Sequence, residues 1–255
     1  MSTDGRGGSN IRRREPAQST GSEPDFATPR AELAAEAAFQ WGMFTAAQAV
    51  RLGLTRRNLS GMVDRGHVEH TDSRGVYRFA GVPVDAVLDG TRSNWLALSP
   101  ELFVRERLKA LRDSNSWNDA IVSHLTAANW VYELGNRQPD SIDFTVPTRR
   151  RVRDPATAFY PRTEKPRWES VDGLPVTTVA QTIADLYADH LDQGHLGEIL
   201  YAALLHRGEN LHDIAEALDP VTDGHGRATA LRLLEFANAP AEIVTANDML
   251  YNLGR

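Results

Sequence analysis

The stretch "GLTRRNLSGMVDRGHVEHTDSRGVYRF", Gly53 to Phe79, concentrates side chains that can hold an anion. Between Arg51 and Arg78 stand six arginines (51, 56, 57, 65, 74 and 78) against Asp64, Glu69 and Asp72, yet the 255-residue chain carries a net charge of −6. A guanidinium pairs bidentately with a phosphate or a guanine edge, and an asparagine with adenine. Arg56, Arg57 and Asn58 therefore suit nucleic-acid contact, in a first helical turn whose free amides already favour an anion. Local field rather than overall charge governs such contact, so an acidic total is no obstacle.

The elements that must position these residues are legible around them. Thr55 stands at a helix cap, with Leu54 and Leu59 at the two positions of a hydrophobic staple. Leu59, Met62 and Val63 form an i, i+3, i+4 stripe, and Gly66 ends the helix. With that stripe inward, Arg57, Gly61 and Asp64 point most directly outward, flanked by Ser60 and Arg65. Gly61 costs a helix about 1 kcal/mol relative to alanine, so either a close backbone approach is wanted there or the glycine is merely tolerated. Asp64 would repel phosphates. Either the carboxyl end of the helix lifts off the DNA, which is the favoured reading, or Asp64 accepts from a cytosine amino group.

Upstream, "RAELAAEAAFQWG" sets Leu33, Ala37 and Trp41 on one helical face, with Gly42 as its stop. The next helix, "FTAAQAVRLG", opens on Thr45 with Gln48 at the capping-box spacing and closes on Gly53. Downstream, "HVEHTDSRGVYRFAG" reads as two short strands around a polar tip. Ser73 and Arg74 at that tip suit phosphate or minor-groove contact, while Tyr77 and Phe79 pack the hairpin against the helix. This order predicts a winged helix-turn-helix over residues 29–82. A disordered tail at 1–28 would precede it and a linker at 83–92 would follow.

Residues 93–255 predict an α+β domain with a small sheet, so that the whole is mainly α with α+β parts. "WLALSPELFVRERLKALRD" and "AIVSHLTAANWVYELG" read as helices, "SIDFTVP", "ATAFYP" and "SVDGLPVTT" as strands, and the chain from Val179 onward as mainly helical. Arg149, Arg150, Arg151 and Arg153 form a basic ridge in "PTRRRVRD", either a solvated loop or a docking surface.

Catalytic chemistry is sparse. The chain has no cysteine, which excludes disulfides and thiolate metal sites. His190 with His195, and His206 with His212, miss the spacing of a metal-binding helix face. Ser123 and His124 would point apart on a helix, and Ser123 reads as a cap. "PDSIDF" followed by Glu164-Lys165 has the wrong spacing for a nuclease, and no phosphate loop or dinucleotide fingerprint occurs. No enzyme activity, metal or cofactor is expected. With no apolar leader and no apolar run of about 18 residues, a cytoplasmic protein is expected.

"MFTAAQAVRLGLTRRNLSGMVDRGHVEHTDSRGVYRFAG" resembles the amino-terminal domain of AbiEi-type antitoxins of type IV toxin–antitoxin systems. The resemblance continues, in the family's order, through "WLAL", "SHLTAA", "DFTVPTRRRVR" and "VDGLPVTTVAQTIADL", spanning roughly residues 40 to 210. It implies a repressor that binds inverted repeats in double-stranded operator DNA of its own operon, and that counteracts a nucleotidyltransferase-type toxin with or without direct contact. It assigns DNA contact to Thr55, Arg56, Arg57, Asn58, Arg65 and Arg74. The carboxyl-terminal domain, with the Arg149–Arg153 ridge, would serve antitoxicity and homo-oligomeric or cooperative binding. Gly61 and Asp64 depart from the pattern, standing where a basic residue is more usual. Two other readings remain: a winged-helix regulator with a ligand-sensing or dimerising domain and no toxin, and an enzyme housed in the second domain.

Overall fold

A computed structural model describes residues 27–113, 117–150 and 155–253. Helix α1 (Ala27–Ala38) buries Leu33 and Ala37 completely. It starts inside the expected tail; the rest of that tail lies outside the described residues. Trp41 is not on its face. Helix α1 closes with the Gly42 amide donating to the Ala37 carbonyl at 2.8 Å, and Trp41 itself takes the left-handed position at φ 61°. Gly42 follows at φ 71°, and a Cβ there would meet Val82 at 2.6 Å, so only glycine fits.

Strand β1 (Met43–Thr45) comes next, too short to show alternation in the sequence. Thr45 then caps α2 (Ala46–Arg51), and the reciprocal Thr45–Gln48 capping box is present. Gly53 turns the chain at φ 93° into α3 (Arg56–Asp64). Thr55 caps α3 through a second box whose return partner is Asn58, while Leu54, Leu59 and Met62 are buried beneath it. Strands β2 (Val68–His70) and β3 (Val76–Phe79) form a hairpin, and β1 joins its far edge to give an antiparallel sheet ordered β1-β3-β2. Phe44 stacks on Tyr77 at 5.8 Å and packs on Phe79 at 5.1 Å, so both aromatics serve the core as expected.

The second part opens with α4 (Asp89–Leu98) and α5 (Val104–Asp113), so the last four residues of the expected linker are helical. Its sheet takes the order β6-β5-β4-β8-β7, built from β4 (Ile121–Val122), β5 (Ile142–Val146), β6 (Thr157–Pro161), β7 (Trp168–Val171) and β8 (Leu174–Thr177). The β4–β8 and β5–β6 pairs are parallel and the other two antiparallel. Helices α6 (Val179–Ala188), α7 (Gln193–His206), α8 (Leu211–Leu218), α9 (Gly226–Phe236) and α10 (Ala241–Leu253) follow. Mixed α and β, with two small sheets, is the fold observed.

A further expectation is overturned. "AIVSHLTAANWVYELG" is not a helix throughout: Ile121–Val122 is a strand, His124 takes φ 53°, and Thr126–Val131 winds as a π-helix. Ile121 and Val122 are both fully buried because both sides of β4 are covered, and so short a buried strand has no periodicity to tell it from a buried helix. Asp143, 4 % exposed, fixes the π-helix by accepting from the Thr126 amide at 3.2 Å.

The two parts share a core. Met43 and Val76 join the cluster that holds Trp95, Phe144, Val176 and Ile183. Arg78 pairs with Asp89 at 2.6 Å, and Arg51 with Glu106 at 2.5 Å. Gln48 donates to the Leu102 carbonyl at 2.8 Å, and Arg92 reaches Asp172 at 2.5 Å while lying over the Trp41 ring.

Candidate nucleic-acid interface

The capping box at Thr55 fixes the start of α3, and it uses both of its members. The Asn58 Oδ1 accepts from the Thr55 amide at 2.9 Å and from the Thr55 hydroxyl at 2.5 Å. What Asn58 can offer outward is therefore its amide N–H, not its carbonyl oxygen. Arg56, Arg57, Ser60 and Arg65 are exposed, and so is Arg74 across the hairpin. Among the described residues none of these four arginines has an acidic partner.

The other two arginines of the basic stretch are spent on structure. Arg78 is 8 % exposed and bound to Asp89. Arg51 lies over Phe103 and grips Glu106, whose carboxyl this bond holds below the usual carboxylate range. The local charge excess thus divides into two ties to the second part of the chain and four free cations. Long-range partners such as Asp89 and Glu106 could not be assigned from the sequence.

Gly61 has a specific neighbour. A Cβ there would sit 3.1 Å from Nη1 of Arg65, so the Arg65 guanidinium lies back along α3 in the space the glycine leaves. The close approach at Gly61 is made by the protein's own arginine. Ser73 turns away from solvent: its hydroxyl lies 3.0 Å from that of Ser93 on α4, which braces the hairpin tip from behind. Arg74 and Arg56 then line one open groove of about 410 Å³ with Thr45, Val50 and Pro100 at its walls.

The arginine ridge is only partly described. Arg149 is exposed, Arg150 is half-buried with Nη1 3.4 Å from the Leu98 carbonyl, and Arg151 and Arg153 lie outside the described residues.

Ser123 and His124 do meet, contrary to expectation, because His124 stands at the junction between β4 and the following helix with a left-handed backbone, φ 53°. Ser123 Oγ is 2.8 Å from His124 Nδ1, and His124 Nε2 is 3.4 Å from an Asp189 carboxylate oxygen. This is not a nucleophilic triad: Ser123 is 0 % exposed, and burial, aided by Arg162, pushes the imidazole down to about 3. Being neutral, it makes no ion pair with Asp189. Nor do the nuclease-like residues assemble, since Lys165 donates to the Leu111 carbonyl at 2.6 Å and Asp143 is engaged by Ser141 and Thr126. His212, Asp213 and Glu216 bring ligand atoms within 4.8 Å of one another, a grouping the histidine spacing did not suggest. Glu216 pairs with Arg167 and Asp213 accepts from Asn210 there.

The segment that carries these four arginines is similar to part of a known family of transcriptional regulators. Residues 31–80 match the family model described as "Transcriptional regulator, AbiEi antitoxin", and the resemblance to AbiEi-type antitoxins is borne out on that segment. No curated protein matches the chain. Among solved structures, the crystal structure of RV2827C protein from Mycobacterium tuberculosis aligns with TM-score 0.46 at 13% identity, over 86% of this chain and 80% of that one. No helix among the described residues is long and apolar enough to cross a membrane.

Proposed function

We propose that this chain is a DNA-binding antitoxin that represses its own operon and counteracts a nucleotidyltransferase-type toxin in the cytoplasm. Residues 29–82 act as a winged helix-turn-helix, with α3 in the major groove and the β2–β3 hairpin as the wing. The helix–strand–helix–helix–hairpin order and the family match over 31–80 support this reading. The observation that carries it is the set Arg56, Arg57, Arg65 and Arg74: four exposed guanidiniums, without acidic partners among the described residues, on α3, its carboxyl-terminal cap and the hairpin tip. Arg57 reads base edges, while Arg56 and Arg74 hold phosphate along their shared groove. Thr55 and Asn58 serve chiefly to fix the helix start, and Ser60 flanks the contact.

Residues 93–255 then carry antitoxicity and oligomerisation, with Arg149 and its neighbours as an electropositive docking surface. Inverted repeats in the operator call for two copies related by a twofold axis. Co-expression with the product of the adjacent nucleotidyltransferase gene tests the toxin claim, reading growth rescue and co-purification together. Rescue by the full chain supports it. Unrelieved toxicity at matched expression would leave a regulator with no toxin partner.

A further inference from the structure

A second site lies away from the arginines, at the far end of the larger sheet. An open groove of about 310 Å³ is bounded by His124, Thr145, Tyr160, Arg162, Asp185 and Asp189. The His124 ring stacks on Tyr160 at 3.6 Å and 15°, forming its aromatic wall. Two polar atoms at this groove have no partner among the described residues: Thr145 Oγ1, on a residue 2 % exposed, and Asp185 Oδ2. A buried hydroxyl left unbonded costs on the order of 1–3 kcal/mol, so a native chain keeps one chiefly where something else satisfies it.

Charge gives the nature of that something. Asp185 and Asp189 stand four residues apart at the carboxyl end of α6, where helix carbonyls already concentrate negative charge and no basic residue occupies the last turn. Both local rules of helix electrostatics are broken at one spot. Arg162 offsets only part of this, through its 2.7 Å bond to the other oxygen of Asp185. Asp189, with a side chain 47% exposed, stays open to solvent.

We propose that this groove binds an organic cation bearing N–H donors, a guanidinium or ammonium group on an alkyl stem. The carboxylates of Asp185 and Asp189 accept from the cation, Thr145 Oγ1 accepts one further N–H, and the Tyr160–His124 pair packs the stem. The group comes either from a free small molecule or from a basic side chain of a protein partner; the chemistry recognised is the same. This inference does not rest on the DNA-binding reading.

Calorimetric titration of the full-length protein at pH about 8 tests it. One arm uses agmatine and the other a blocked pentapeptide with a central arginine. Saturable one-site binding of agmatine, weakened at least about tenfold in both Asp189→Asn and Thr145→Val, is the expected result. Binding of agmatine alone assigns a free small cation, and binding of both probes a side-chain ligand. Thermal unfolding of the two variants, which alter one exposed and one isosteric group, verifies that they fold. Absence of saturable binding by either probe, or equal affinity in wild type and folded variants, would overturn the proposal.

Discussion

The indole Nε1 of Trp41 donates to the backbone carbonyl of Asp172 at 2.7 Å, across 131 residues of sequence. Asp172 takes φ 47° in the β7–β8 turn, and Gly173 beside it, at φ 81°, leaves room for the Trp41 ring. The amino-terminal segment is therefore keyed into a turn of the larger sheet, and the Arg92–Asp172 ion pair closes over the same point.

Truncating Trp41 to alanine removes this bond and the edge contact with Trp95 at 6.3 Å. A loss of about 3 kcal/mol is expected, the lower end of the range for buried aromatic truncations, because Trp41 is only half-buried. Urea denaturation followed by far-ultraviolet circular dichroism reads it. A wild-type midpoint in the variant would mean that the turn does not hold the two parts together.

How much of this was legible follows from what each feature depends on. The caps at Thr45 and Thr55, the stops at Gly53 and Gly66, and the Leu59–Met62 stripe are local, and sequence spacing alone places them. Trp41 satisfied the periodicity of α1 but belongs to a contact with residue 172, which no local pattern encodes. Arg51 and Arg78 matched the pattern of DNA-contacting cations, yet their partners lie at Glu106 and Asp89. The meeting of Ser123 with His124 depended on a left-handed His124, a backbone state that no local pattern in this mixed run marks.

Arg107 is buried with its guanidinium bonded twice to Asp119 at 2.6 Å and once to the Trp95 carbonyl at 2.7 Å. Asp119→Ala leaves that charge unpaired and is expected to destabilise the chain by about 3–5 kcal/mol. The double variant Arg107→Met/Asp119→Leu should be much less damaging, because it removes both desolvation penalties. Chemical denaturation of the two, compared directly, checks the ranking; the opposite order would contradict it.

His124 titrates near 3 in the folded protein against an ordinary 6.5. The unfolded chain therefore binds more protons between those values, and the stability this residue contributes is full above pH 6.5 and falls as pH drops toward 3. The slope is at most about 1.4 kcal/mol per pH unit. Buried Asp143 and Asp185, raised by burial, act in the opposite sense above the ordinary carboxylate range, so the readout is a difference. Wild type should lose more stability than His124→Asn, which tolerates the left-handed backbone, between pH 6.5 and 4.5 by urea midpoints. Parallel curves would contradict it.

Gly61→Ala gains helix propensity worth about 1 kcal/mol, and the new methyl displaces only the mobile end of Arg65. A higher Tm by differential scanning calorimetry is expected, together with altered DNA affinity as Arg65 is driven off the helix surface. An unchanged or lower Tm would show that the glycine is needed for the backbone itself.

The most direct test of the account is a fluorescence-anisotropy titration of an operator-bearing promoter fragment across a salt series, with wild type, Arg57→Ala and Arg74→Ala. Arg57→Ala should weaken binding by about 1–3 kcal/mol, and Arg74→Ala should lower the salt slope by about one. Arg51→Ala, which breaks the ties to Glu106, the Glu101 carbonyl and the Phe103 ring, should leave the salt slope unchanged. Wild-type affinity and salt slope in both Arg57→Ala and Arg74→Ala would contradict the placement of DNA on α3 and the hairpin.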